Sequence, residues 1–209
     1  DGIQTVGGRL RGIYKANDRL TMDLSLNYDY CDEGAYPYYY AGSLTEKEPY
    51  ADYVGKISNN NENRYRRNML NTGLNISYDL GDVEIKSVTS FQNLCDRMFQ
   101  DQDFLPRDIY TMVQRQRINT LTEEVTARSK HGAIWNWVGG VNVTKQWLRT
   151  EGPVTFGKDG VAMLEQNINS VLPENPPMSI NFRGESLRMG GIFETPMVNL
   201  GVFHQSVFN

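Results

Sequence analysis

The chain has 209 residues, room for one or two domains, and its 39% hydrophobic and 22% charged content excludes compositional disorder. With 21 basic against 25 acidic residues the formal net charge is -4, so no basic footprint for nucleic acid exists. No apolar run approaches the ~20 residues of a membrane-spanning helix, but a mean hydropathy of -0.53 leaves membrane strands open, because their alternating faces average to a soluble-looking value.

Twelve Tyr, 8 Phe and 3 Trp, with many Asn, Thr and Gly, favour strands and loops over helices. Eight strands are expected, at about 3–16, 19–30, 66–80, 83–94, 109–128, 132–148, 184–194 and 198–209. The second has Leu20, Met22, Leu24, Leu26, Tyr28 and Tyr30 on one face and Thr21, Asp23, Ser25, Asn27 and Asp29 on the other. The third alternates likewise, with Leu70, Leu74, Ile76 and Tyr78 against Asn71, Asn75, Ser77 and Asp79. The fifth changes phase, so a bulge near Asn119 is expected. In the sixth, Trp135, Trp137, Val141 and Val143 share a face, and Gly139-Gly140 suits close approach of a neighbour or plug.

Tight turns are expected at Asn17-Asp18, Gly81-Asp82, Lys130-His131-Gly132 and Thr195-Pro196-Met197. Long connections, about 31–65, 95–108 and 149–183, alternate with them. Outer-membrane barrels place short turns on the periplasmic side and long loops outside. Trp137 and Trp147, ten residues apart on one face, would be separated by roughly 23 Å along a membrane normal at 3.3 Å per residue and 45° tilt. That matches the aromatic girdles that edge an apolar band of about 25 Å; two tryptophans in a sandwich core are the alternative. The first strand runs toward a short turn and the last away from one, so both chain ends are expected at the external rim, with further strands on both sides.

Several motifs together resemble one family. Val88-Thr89-Ser90-Phe91 followed by Asp101-Gln102-Asp103-Phe104 is similar to a strand and loop of TonB-dependent receptor barrels. Leu121 to Ser129, then Trp135-Asn136-Trp137-Val138-Gly139, and finally Gly201-Val202-Phe203-His204-Gln205 resemble later barrel elements in the same order. Thr126 departs from the pattern, standing where an arginine is usual. The resemblance implies an all-β, antiparallel up-and-down transmembrane barrel of about 22 strands, of which residues 1–209 supply about eight, without the plug domain. It implies an outer-membrane location in a Gram-negative bacterium and uptake of a scarce nutrient such as a ferric siderophore, haem or corrinoid. Partners would be outer-membrane lipid and, through the plug, the TonB complex. No cofactor and no catalysis are expected. A secreted or periplasmic β-sandwich that binds carbohydrate is the competing reading; it would bury its apolar face against a second sheet.

Candidate ligand contacts are Tyr36, Tyr38, Tyr39 and Tyr40 in the first long loop, backed by Tyr50 and Tyr53, since tyrosines offer amphipathic contact area at low entropy cost; packing of that loop on itself is the plainer alternative. Arg64 and Arg66, with Arg67, are candidate lumen-facing contacts for anionic ligands or plug carboxylates, as are Arg9 and Arg11, with a solvated charged strand as the alternative. Asp101, Asp103, Arg107 and Asp108 read as a solvated charged loop; Asp-x-Asp suits calcium, but the rest of an EF-hand is missing. Cys31 and Cys95 are expected in loops on one side of the sheet, where they could pair. Only two His are present, with no CxxC, so zinc is not expected. No GxSxG, P-loop, HExxH or dinucleotide fingerprint is present.

Overall fold

A computed structural model describes residues 2–34, 37–43, 49–130, 134–174 and 177–208. Seven long antiparallel strands form an up-and-down meander: β1 (Ile3–Lys15), β2 (Leu20–Gly34), β3 (Arg64–Asp79), β4 (Val83–Asp101), β5 (Tyr110–Ser129), β6 (Trp135–Glu151) and, after two short strands, β9 (Ile192–Phe208). The short strands β7 (Val154–Phe156) and β8 (Leu187–Met189) extend the sheet beside β5, and one helix, α1 (Lys158–Asn169), lies between them. The sheet is open: β1 pairs only with β2, and β9 only with β6.

The first six long strands match the alternation in the sequence to within a few residues at most boundaries, although β2 and β4 run on to Gly34 and Asp101. The end of the chain differs. Thr195-Pro196-Met197 makes no turn but lies inside β9, whose ladder with β6 runs from Ile192 opposite Glu151 to Phe208 opposite Trp135. Proline is tolerated there because β9 pairs along one edge only. The last strand therefore runs toward the short-turn end and not away from it. The expected bulge at Asn119 is also absent. Asn119 faces Asn93 on one side and Trp147 on the other in unbroken ladders, so β5 carries its mixed pattern straight.

Short connections still alternate with long ones. Ala16 N–H donates to the Leu20 carbonyl at 3.0 Å across the first turn, which Asn17 caps by accepting the N–H groups of Arg19 and Leu20. In the second, Gly81 adopts φ 94° and its N–H donates to Asp79. Residues 131–133 of the third lie outside the described residues.

Cross-strand partners share a face, so the register fixes both sides of the sheet. One side carries Leu24, Leu74, Val143 and Leu200 at one level and Met22, Ile76, Val125, Val141 and Val202 at the next. Its interruptions are locally satisfied. Glu123 accepts hydrogen bonds from Ser87 and Thr89 on β4, Asn93 donates to Asn119, and the Lys145 ammonium lies 4.8 Å from the Trp147 ring centre. The other side is polar and cross-linked: Gln92 to Asn71, Thr122 with Thr144, Gln146 to Thr120, and Arg11 to Asp23 at 2.6 Å. On this side the Phe203 ring lies over Gly140, where a Cβ would come within 2.6 Å of it. The close neighbour of Gly139-Gly140 is thus β9.

Among the described residues no second sheet covers the apolar side. Val143, Leu200 and Val202 stay exposed, the last two by more than 70%. Cys31 and Cys95 are free and lie in strands, not loops. Strand β3 separates them; Cys31 faces Arg67 on the polar side and Cys95 faces Asn68 on the apolar side, which rules out a bond between them without rearrangement.

Candidate functional site

The buried core lies not within the sheet but at its long-loop end. Leu105, Ile109 and Val161 are buried there with Asn63, Asp101 and Asp103. Three connections build this cap: residues 49–63, 102–109 and the segment 152–172 that contains α1. Asp103 organises the middle one by accepting the backbone N–H groups of Leu105, Ile109 and Tyr110 at 2.9, 3.2 and 3.0 Å. Asp108 ties it to the helix: its carbonyl accepts from Asp159 and Gly160, and its carboxylate from Lys158. Asp159 returns the bond, accepting the Asp108 N–H at 3.1 Å. Gly160 cannot be replaced cheaply, since a Cβ there would stand 2.0 Å from the Ile109 carbonyl oxygen.

Asp101 ends β4, well beyond the apolar part of that strand. It is 0% exposed; one carboxylate oxygen accepts the Asn61 N–H at 3.2 Å and the other has no hydrogen-bond partner. Burial, followed by the charge of Asp103, pushes its pKa up to about 6. The Asp-x-Asp pair is therefore an internal brace and not the solvated loop expected. Arg107 and Asp159, 3.6 Å apart, make a surface pair beside it. Among the described residues no group of three or more His, Cys, Asp or Glu could hold a metal ion.

The structure divides the sequence-predicted contacts. Tyr36 lies outside the described residues. Tyr38 packs edge-on against Phe104 at 5.7 Å and Tyr40 against Tyr50 at 5.8 Å, with the Arg107 guanidinium over the Tyr50 ring. Tyr38 and Tyr40 thus help hold the first loop on the cap. Tyr39, 53% exposed, is directed to solvent.

Arg64 and Arg66 are not on the polar face. Both have the parity of the apolar side, where Asp32 accepts from each at 2.7 and 3.0 Å. Arg67 alone of that cluster is polar-facing, paired with Asp29 at 3.0 Å. The correction follows from register, because Arg64 and Arg66 continue the row begun by Leu70 and Leu74 at even spacing. The same parity gathers four arginines that sequence reading passed over. Arg97, Arg115, Arg117 and Arg149 also lie on the apolar side, at the long-loop end. Arg66, Arg97 and Arg115 stand directly opposite one another across three strands, and Arg117 stands opposite Arg149. The two-residue spacing within Arg64/Arg66 and Arg115/Arg117 was the available signal.

Compared with known proteins, the sequence matches no family model and no curated protein.

Proposed function

We propose that this chain is part of the wall of a TonB-dependent outer-membrane receptor, a barrel of about 22 strands when whole, that takes up a scarce nutrient such as a ferric siderophore, haem or corrinoid. The observation that carries this reading is the exposed apolar side of a seven-strand meander whose other side is a network of Asn, Gln, Thr and Arg. A water-soluble domain would leave several hundred Å² of such surface uncovered at risk of aggregation, whereas a membrane barrel turns it to lipid. Aromatic side chains edge it as girdles would: Trp135, Trp137 and Phe208 cluster at the short-turn end, and Tyr28 and Trp147 lie toward the other. The open edges of β1 and β9 suit strands continuing on both sides.

In this reading the polar side lines the lumen and the cap stands outside the cell, with Tyr39 among the groups first met by a ligand. The wall performs no covalent chemistry. TonB, acting through a plug, supplies the work of release.

Membrane fractions of the source cell, blotted with an antibody to residues 49–63, test the location. The expected band lies in the outer membrane, runs well above 23.9 kDa and shifts on boiling. Loss of growth on one of the three nutrients when the gene is deleted would identify the cargo. A soluble band of about that mass with no heat shift would overturn the receptor and favour a carbohydrate-binding sandwich.

A further inference from the structure

The arginines on the apolar side form a belt, and we propose that this belt binds the phosphate groups of anionic lipids in the outer leaflet. The inference rests on the receptor reading in one respect: the apolar side must be the one that meets lipid.

Like charges directly opposite in a sheet destabilise it, yet Arg66, Arg97 and Arg115 occupy one uninterrupted cross-strand row. Asp32 and Glu151 stand at the two ends of that row, and Glu194 stands opposite Arg149 in the next. Asp32 serves Arg64 and Arg66, while Glu151 serves Arg115 at 3.6 Å and Arg149 at 3.2 Å. Arg97 and Arg117, both exposed, make no ion pair among the described residues. A row of this kind lacks an anion in its middle. Arginine is suited to phosphate because its planar fork makes two parallel hydrogen bonds at once.

Two shallow concavities follow the belt. One, of about 550 Å³, is lined by Arg64, Arg66 and Arg97 with Asp32, Glu62 and Phe99. The other, of about 380 Å³, is lined by Arg115, Arg117 and Arg149 with Asp96 and Glu151. Their height decides the source of the anion. Arg149 lies two residues beyond Trp147 on β6, and Arg115 pairs with Glu151, four beyond. At 3.3 Å per residue and 45° tilt, Arg149 stands roughly 5 Å above Trp147 on that strand. The headgroup zone occupies about 5–8 Å on each side of the hydrocarbon core. Below the belt the same face continues without a step into Tyr28, Leu121, Trp147 and Val198, a surface for acyl chains and not for a soluble anion.

The test compares the whole protein with its Arg97→Gln/Arg117→Gln variant, both extracted from outer membranes in mild detergent. Retained lipid is quantified by native mass spectrometry and organic phosphate, and heat modifiability is scored on the same samples. The expected result is phosphorylated lipid retained by the natural protein, lost about 10-fold or more by the glutamine variant and largely kept by Arg97→Lys/Arg117→Lys, with the heat shift present throughout. Equal retention by natural and glutamine proteins that both shift on boiling would overturn the belt but leave the receptor standing. Retention of inorganic phosphate or sulfate alone would likewise overturn it. A natural protein with no heat shift would sink the receptor reading, and the belt with it.

Discussion

Replacing Asp101 with Asn should remove a pH-dependent weakness from the cap. Asp101 is fully buried, has one unpartnered carboxylate oxygen, and is held at a pKa of about 6 by burial and by the charge of Asp103. Free aspartate titrates near 3.9, so the folded cap binds the proton more tightly than the opened one. Between about pH 4 and pH 6 the folded state holds more protons, and stability therefore falls as pH rises through that window. Roughly two pKa units correspond to a penalty on the order of 3 kcal/mol above pH 6. Asparagine keeps the shape, and its side-chain oxygen can still accept the Asn61 N–H, but it carries no charge. The assay is hydrogen exchange at the Leu105, Ile109 and Tyr110 amides, the three that donate to Asp103, corrected for intrinsic rates. In the natural protein, protection should drop by about 25-fold between pH 4.5 and 7.5; in Asp101→Asn it should stay flat. An identical drop in both proteins would refute the assignment of the weakness to Asp101.

Gly160→Ala should open the cap, because the new methyl carbon would stand 2.0 Å from the Ile109 carbonyl oxygen; limited proteolysis of segment 152–191 should quicken at least about 10-fold while strand protection is unchanged. If the apolar side faces lipid as proposed, Val143→Arg on that side should destabilise the fold by about 2–4 kcal/mol, and Gln146→Arg on the polar side by less than about 1 kcal/mol, read as the fraction folded in urea titrations in lipid vesicles. Denatured, unreduced protein should titrate two thiols with maleimide, since Cys31 and Cys95 face opposite sides of the sheet; a single disulfide-linked species would show that the register is wrong.

The sheet was readable in the sequence because strands β2, β3 and β6, which bury no side chain except Cys31, sort their residues by a two-residue period. Two features escaped. Proline in a strand pattern ordinarily signals a turn, so Pro196 divides one strand into two in the sequence, whereas it lies within β9. Helix α1 lies in a segment whose sequence reads as loop: Val161, Leu164 and Ile168 recur at helical spacing, but Gly157 precedes it without a side-chain cap. Its stability comes from contacts with Asp108 and Ile109, about fifty residues away, which no local pattern reveals. The arginines were visible as a cluster, but their side of the sheet depends on counting parity from a known apolar residue, and Arg97 and Arg149 join them only through the ladder.

The unbroken ladders from β1 to β6, and on to β9, also constrain how such a wall can vary in length. With no bulge to absorb an extra residue, inserting one residue within a strand would exchange its two sides beyond that point and turn Asn and Gln outward. Inserting two would restore the sides but slide every later residue up one level, carrying Arg115 or Arg149 off its row. Length in these strands is thus permitted in pairs and paid for in alignment, whereas the cap segments between them, whose shape depends on a few carboxylates and one glycine, are free to lengthen by any number away from those anchors. Variation in length should accordingly concentrate in the loops while strand lengths stay locked in step with one another.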